Sequence, residues 1–126
     1  MSMGKIYRHR AARSDELMGY MDLETGQIVD SRLDKDVTVG RVEQESGKVY
    51  FTRYGMDEYI GHVDLNNGKV YRHRHGPDKY IGRVNKEGKL YRHRSIEKDE
   101  YEGHVDDMSS FAEGGAALLL LLLEEE

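Results

Sequence analysis

Tyr-Arg-His-Arg occurs three times in this chain, at Tyr7 to Arg10, Tyr71 to Arg74 and Tyr91 to Arg94, and no other motif in it carries as much charge in so fixed a pattern. In an extended strand alternate residues share a face, so Arg72 and Arg74 point one way while Tyr71 and His73 point the other. Set side by side on neighbouring hairpins, Arg8, Arg10, Arg72, Arg74, Arg92 and Arg94 form a candidate anion-binding ladder that would grip phosphates, with tyrosine available to stack on bases. The competing use is ion pairing across strands with Asp57, Glu58, Asp78, Asp99 and Glu100. The charge balance favours pairing: 19 basic and 24 acidic residues are interleaved and sum to −5, so no bulk field draws the chain to nucleic acid.

Histidine offers a second chemistry. His62 and His104 sit in Gly-His-Val-Asp, and His9, His73 and His93 recur in the arginine motif. A metal ion needs three or four converging ligands, which imidazole and carboxylate can supply. The second copy of the repeat has neither histidine and the fourth carries Gly82-Arg83 in place of Gly-His, so a ring of histidines would be incomplete and no metal site is assigned. With no cysteine there is no thiolate nucleophile, cysteine zinc site or disulfide framework. No nucleophile stands beside a base, no phosphate-binding glycine loop is present, and no carboxylate pair stands out from the repeat. The expectation is a protein without catalytic residues or cofactor, since catalysis needs one asymmetric constellation and this chain repeats its polar residues.

The elements that must hold these residues are set by glycine. Gly19, Gly40, Gly61, Gly82 and Gly103 are spaced by 21 residues, and Gly4, Gly26, Gly47, Gly68 and Gly88 lead the repeats. Self-similarity at such a period marks a repeat architecture. In the fourth copy, Lys69 to Arg74 alternates branched or aromatic with polar residues, His75-Gly76-Pro77-Asp78 breaks the run, Lys79 to Asn85 is a second strand, and Lys86-Glu87-Gly88 turns back. Each copy is thus a β-hairpin. Five in series predict an all-β fold, an antiparallel up-and-down meander of about ten strands over residues 4–108. Glycine in mid-strand predicts a bend or bulge repeated in every hairpin, or a place for Tyr7, Tyr50, Tyr71 and Tyr91 to lie flat across the backbone, and either way a sheet that is curled or closed.

Period-2 geometry puts Ile6, Val49, Val70 and Leu90 on the core face, with Met21, Val42, Val63, Val84 and Val105. That is a thin core for 126 residues of which 34% are charged. The hairpins need further apolar cover, from closing the sheet, from a second chain, or from the tail. Residues 109–126 form that separate tail: Ser110 and Glu113 have capping-box spacing, two alanines and six leucines follow, and three glutamates end it. A short helix is predicted. Eight apolar residues rise only about 12 Å, against roughly 30 Å for a bilayer core, so the run is no transmembrane segment. Leu118, Leu119, Leu120, Leu121, Leu122 and Leu123 cover every side of a helix and demand burial all round. They would fill the open end or concave face of the curled sheet, join two chains by self-association, or dock on another protein or a membrane. Glu124 to Glu126 oppose the helix dipole and would fray into solvent.

Tyr101-Glu102-Gly103 and Tyr59-Ile60-Gly61-His62-Val63 resemble the Tyr-x-Gly opening of MORN repeats, which are single hairpins stacked into an extended sheet. The turns Asp64 to Val70 and Asn85 to Leu90 resemble those of the YD repeats of large secreted toxins. Residues 4–108 as a whole are most similar to small uncharacterised bacterial β-hairpin-repeat proteins built of Gly-x-Val-Tyr and Ile-Gly-x-Val units, a resemblance that implies a fold and no activity. The N-terminal MSMGKIYRHR enters the first repeat without the apolar stretch of a secretory signal, so a cytoplasmic setting is expected. The sequence-based expectation is a non-enzymatic structural or protein-interaction module, with phosphate or nucleic-acid binding as the alternative.

Overall fold

The computed structural model describes residues 3–32 and 34–123. The glutamates at 124–126 lie outside them. Among the described residues ten strands follow one another: β1 (Met3–Arg8), β2 (Glu16–Asp22), β3 (Gln27–Asp30), β4 (Val37–Val42), β5 (Lys48–Arg53), β6 (Met56–Val63), β7 (Lys69–Arg72), β8 (Lys79–Val84), β9 (Lys89–Arg92) and β10 (Glu100–Val105). Each pairs antiparallel with the next, and β1 pairs with β10 through Ile6↔Val105, Tyr7↔His104 and Arg8↔Gly103, closing a barrel. Closure leaves no edge strand exposed.

The mid-strand glycines have two causes, both structural. Each even-numbered strand from β2 to β10 bulges by one residue where it meets the odd-numbered strand of its own hairpin: Met18, Val39, Ile60, Ile81 and Glu102 are the extra residues, each immediately before one of the 21-spaced glycines. A bulge sharpens the local twist and bends the strand, and five of them curl the sheet into a tube. At the glycine itself the neighbouring strand comes very close. A Cβ would lie 2.2 Å from the carbonyl oxygens of Tyr50, Tyr71 and Tyr91 at Gly40, Gly61 and Gly82, and 1.9 Å from that of Tyr7 at Gly103. The expectation of tyrosine rings lying over these glycines is corrected on this point: it is the tyrosine carbonyl that occupies the space, while the rings of Tyr7 and Tyr71 stack outside on His104 and His62.

The core-face residues named from period-2 alternation are all buried, none more than 2% exposed, and Ile28, Met18 and Ile81 join them. Inside the barrel runs the tail. Helix α1 (Phe111–Ala117) enters at the base, where Glu113 accepts the Ser110 N–H at 3.3 Å and the Ser109 N–H and Oγ–H at 2.6 Å each, completing the capping box. Gly114 and Gly115 lie within this helix, where a Cβ would meet the side chains of Val84 and Val63 at 2.6 and 2.1 Å, so the absent side chains let α1 enter the tube. The leucines then form a π-helical turn, Leu118–Leu122, and Leu118 to Leu123 are at most 3% exposed.

That π-turn matches the barrel. Leu118, Leu119 and Leu120 are the side chains that a Cβ at Gly82, Gly61 and Gly40 would strike, at 2.8, 3.1 and 2.8 Å, so successive leucines face successive repeats. Five repeats share the circumference at about 72° each, whereas an α-helix advances about 100° per residue. Widening to i→i+5 bonding, as in Leu123 N–H to Leu118 O at 2.7 Å, brings the advance per residue closer to one repeat. No helix among the described residues is long and apolar enough to cross a membrane.

Candidate functional site

The six candidate anion-binding arginines fall into two groups at one end of the barrel, the mouth, where each odd-numbered strand turns into the next. Three face inward. Arg8 donates from Nη2 to the carbonyls of Leu121 and Leu122 at 3.3 and 3.2 Å, and Arg72 donates to that of Leu123. Carbonyls at a helix C-terminus have no partners within the helix and carry partial negative charge, so guanidinium groups are the natural cap. Arg92 donates from Nε to Glu102 at 3.0 Å, and Glu102 is the bulge residue of β10, buried where the other hairpins have apolar side chains. The other three lie in the rim: Arg10 pairs with Glu16 at 2.9 Å, Arg74 donates to the Pro77 carbonyl at 3.0 Å, and Arg94 bonds Glu100 from Nε at 3.0 Å. Alternation along the strands holds, with Tyr71 and His73 outward and Arg72 inward. The arginines are divided between lumen and rim, so they do not form one ladder.

The outer face carries a belt of aspartates; Asp57, Asp78 and Asp99 were expected to pair with the arginines of Tyr-Arg-His-Arg, but they meet Arg41, Arg83 and histidines instead. Asp15, Asp36, Asp57, Asp78 and Asp99 recur at 21 residues. Asp57 accepts from Arg41 Nε at 2.7 Å and from Thr52 Oγ1 at 2.9 Å. Asp78 lies between His62 and His73, each Nδ1 at 3.3 Å. Asp99 lies between Arg83 Nε at 2.8 Å and His93 Nδ1 at 3.4 Å. Asp15 closes the circle between His104 at 3.4 Å and His9 at 3.3 Å, across the junction of β10 with β1. Tyr7 and Tyr71 stack on His104 and His62, and Tyr50 and Tyr91 lie under the guanidinium groups of Arg41 and Arg83 at 4.4 and 4.1 Å. The hydrogen bonds from Arg41 and Arg83 hold the carboxyls of Asp57 and Asp99 below the ordinary aspartate range. Burial, and then the charges of Asp78, Asp99 and Asp15, push the Tyr59, Tyr80 and Tyr101 hydroxyls above theirs. Two histidines thus meet about Asp78 and two about Asp15, while His93 shares Asp99 with Arg83, and among the described residues no group of three or more His, Asp or Glu is arranged to hold a metal ion.

One hairpin breaks the symmetry. Where β1, β7 and β9 end in Tyr-Arg, β5 reads Tyr50-Phe51, and the hairpin of the third copy zips further: Arg53 pairs with Met56 across the two-residue turn Tyr54-Gly55. Both turn residues have positive φ, 51° and 78°, the conformation a tight hairpin needs. Repeat four, of the same length, spends residues 73–78 on a loop instead. The longer hairpin stands above the mouth with Tyr54 97% and Met56 74% exposed at its tip. On its inner side Phe51, Arg53, Glu58 and Ile60, with Arg72, Leu119 and Leu120, line a hollow of about 500 Å³.

At the base a second hollow, of about 380 Å³, is lined by residues including Leu65, Lys86, Met108 and Phe111. The leucines assigned as a candidate interaction tail are enclosed by the chain's own strands. Comparison of the chain with protein-family models, with curated proteins and with solved structures gives no match in any of the three.

Proposed function

We propose that the chain is a non-enzymatic interaction module, a rigid barrel that offers the tip of the β5–β6 hairpin to a protein partner. The observation that carries this reading is the departure of that hairpin from its four siblings. A repeat that serves only the barrel has no reason to extend, and large apolar side chains standing almost fully in solvent are what interfaces use as anchors. The filled lumen supports the same reading, because a barrel that spends its interior on its own leucines has no central chamber for a substrate. Phosphate or nucleic-acid binding by Tyr-Arg-His-Arg is the weaker reading, since Arg8 and Arg72 would have to leave the carbonyls that they cap. A cytoplasmic setting, which the cysteine-free composition favours, and kinship with the bacterial hairpin-repeat proteins are parts of the same proposal.

A photo-crosslinking residue in place of Tyr54 is expected to capture one defined protein from a cell extract, and the same residue in place of Glu87, in a turn at the opposite end, is expected not to. Tyr54→Ser with Met56→Ser should abolish binding of that protein while leaving the thermal melt unchanged. Equal capture at both positions, or salt-sensitive retention on nucleic acid as the only binding, would overturn the reading.

A further inference from the structure

We propose that Asn67-Gly68, in the turn between β6 and β7, is a site of spontaneous deamidation that is closed while the barrel is folded and opened by its unfolding, and that the isoaspartate formed there bars the chain from closing again. This goes beyond the interaction reading and stands whether or not a protein docks on Tyr54.

The chain has three asparagines, Asn66, Asn67 and Asn85, and only Asn67 precedes a glycine. That order matters chemically. The backbone nitrogen of the following residue attacks the asparagine side-chain Cγ, expels ammonia and closes a succinimide ring, and a following glycine has no side chain to hinder the approach. Water then adds to one or other succinimide carbonyl, giving aspartate by one route and isoaspartate by the other. The reaction needs only water.

In the folded chain the turn holds each reacting group away from this path. The Asn67 side chain is exposed, but its Oδ1 accepts the Lys69 N–H at 2.9 Å. The Gly68 nitrogen, which would be the nucleophile, donates to the Asp64 carbonyl at 2.8 Å, and the Gly68 carbonyl accepts the Val84 N–H of β8 at 2.9 Å. Gly68 is buried with a φ of 77°, and a Cβ on it would lie 2.3 Å from the Val84 carbonyl oxygen and 3.2 Å from the Phe111 ring. Its nitrogen cannot swing towards Cγ without breaking the bonds that tie the turn to the next hairpin. The reaction therefore waits for the barrel to open, and its rate follows the population of the open chain.

The other repeats show what the position requires. Thr25 and Ser46 stand where Asn67 stands, and their hydroxyls accept the N–H of Gln27 and Lys48 at 3.3 and 3.2 Å. Aspartate at 67 would keep such an acceptor. Isoaspartate routes the main chain through the side-chain methylene, so it lengthens by one carbon a turn that is closed by Gly68 N–H to Asp64 and Asp64 N–H to Lys69, each at 2.8 Å. The close approach of Val84 leaves no room for it.

The test holds the full chain at mildly alkaline pH, in buffer and in guanidinium chloride, and follows amide-to-acid conversion at Asn67 by peptide mass spectrometry with chromatographic separation of the two products. Conversion in buffer is expected to be at least about tenfold slower than in denaturant. Leu119→Ala, which weakens the plug, should raise the rate in buffer by about tenfold or more. Parent chains held unfolded should lose the ability to refold in step with isoaspartate formation, whereas Asn67→Thr, given the residue of the second copy, should recover its full melt after the same treatment. Equal rates in buffer and denaturant, a Leu119→Ala rate no faster than the parent's, or isoaspartate-bearing chains that regain the parent melt would overturn the proposal. The first and last comparisons use the unaltered chain, so they decide the matter even should a variant fail to fold.

Discussion

Asp99 shows how a repeated surface residue can be held in place by geometry without any catalytic task. The Arg83 hydrogen bond lowers its carboxyl below the ordinary range, and the His93 contact adds to it. In the unfolded chain the same group would titrate near about 3.9. A folded-state value below the unfolded one means that the unfolded chain binds the proton first as pH falls. The stabilisation is therefore present above the unfolded value and disappears as pH drops through the folded one. Asp99→Asn is expected to lower the melting temperature by roughly a few degrees at pH 7. The gap from the parent should narrow as the melts are taken at pH values falling below the ordinary aspartate range. A gap that persists in acid would mean that the asparagine disturbs packing, with the charge irrelevant. Asp57, bonded by Arg41 and Thr52, should behave in the same way.

The tail is the element on which the strands depend. A tube of ten short strands has an inner surface of valine, isoleucine and glycine that cannot meet across the axis, so something apolar must stand there. The chain supplies it with leucines from Leu118 onward, each at most 3% exposed. Leu119→Ala should cost about 3 kcal/mol in denaturant unfolding, the usual scale for emptying a core leucine site. Removing residues 114–126 should eliminate the cooperative melt and expose dye-binding apolar surface. A truncated chain that melts like its parent would show that the strands close without a filling. The capping arginines make the same point from the other side. They hold the last carbonyls of a helix that sits inside a sheet, so the Tyr-Arg-His-Arg motif contributes to the plug with its second residue and to the outer belt with its tyrosine and histidine.

Closure makes the seam between the first and last repeats like the junctions within the chain. The His9 N–H bonds the Glu102 carbonyl across the seam at 2.8 Å, as His73 bonds Ile60 and His93 bonds Ile81, each at 2.8 Å, within the continuous chain. The Asp15 contact with His104 likewise repeats across the seam what Asp78 does with His62. An open repeat array loses one unit at modest cost, because each unit touches only its neighbours. A barrel cannot, because its diameter is set by strand number. Deleting residues 64–84, one full period, would leave eight strands around the same leucines. That chain is expected to be unfolded or aggregated by circular dichroism and light scattering, whereas a soluble β-rich product with a sharp melt would indicate a sheet that need not close.

Much of this molecule is readable from residue order alone. The 21-residue glycine period, the turn residues and the alternation of Lys-Val-Tyr-Arg determine hairpins, their number and their core faces, because these depend on near neighbours. Six consecutive leucines determine that the tail is enclosed, because no helix face is polar. The sequence left open what encloses it: a curled open sheet and a closed tube satisfy every local pattern equally, and only the pairing of Ile6 with Val105, about a hundred residues apart, distinguishes them. The fate of the arginines was equally hidden. Alternation says that Arg72 and Tyr71 face opposite ways, but which side is the lumen, and that a helix C-terminus waits there to be capped, follows only from closure. In residue order Phe51 merely stands after Tyr50 where Arg8, Arg72 and Arg92 follow tyrosine in other copies. In the barrel it is a missing cap beside a hairpin that rises above the rim, and tertiary structure decided that because the space it leaves is bounded by residues from three separate parts of the chain.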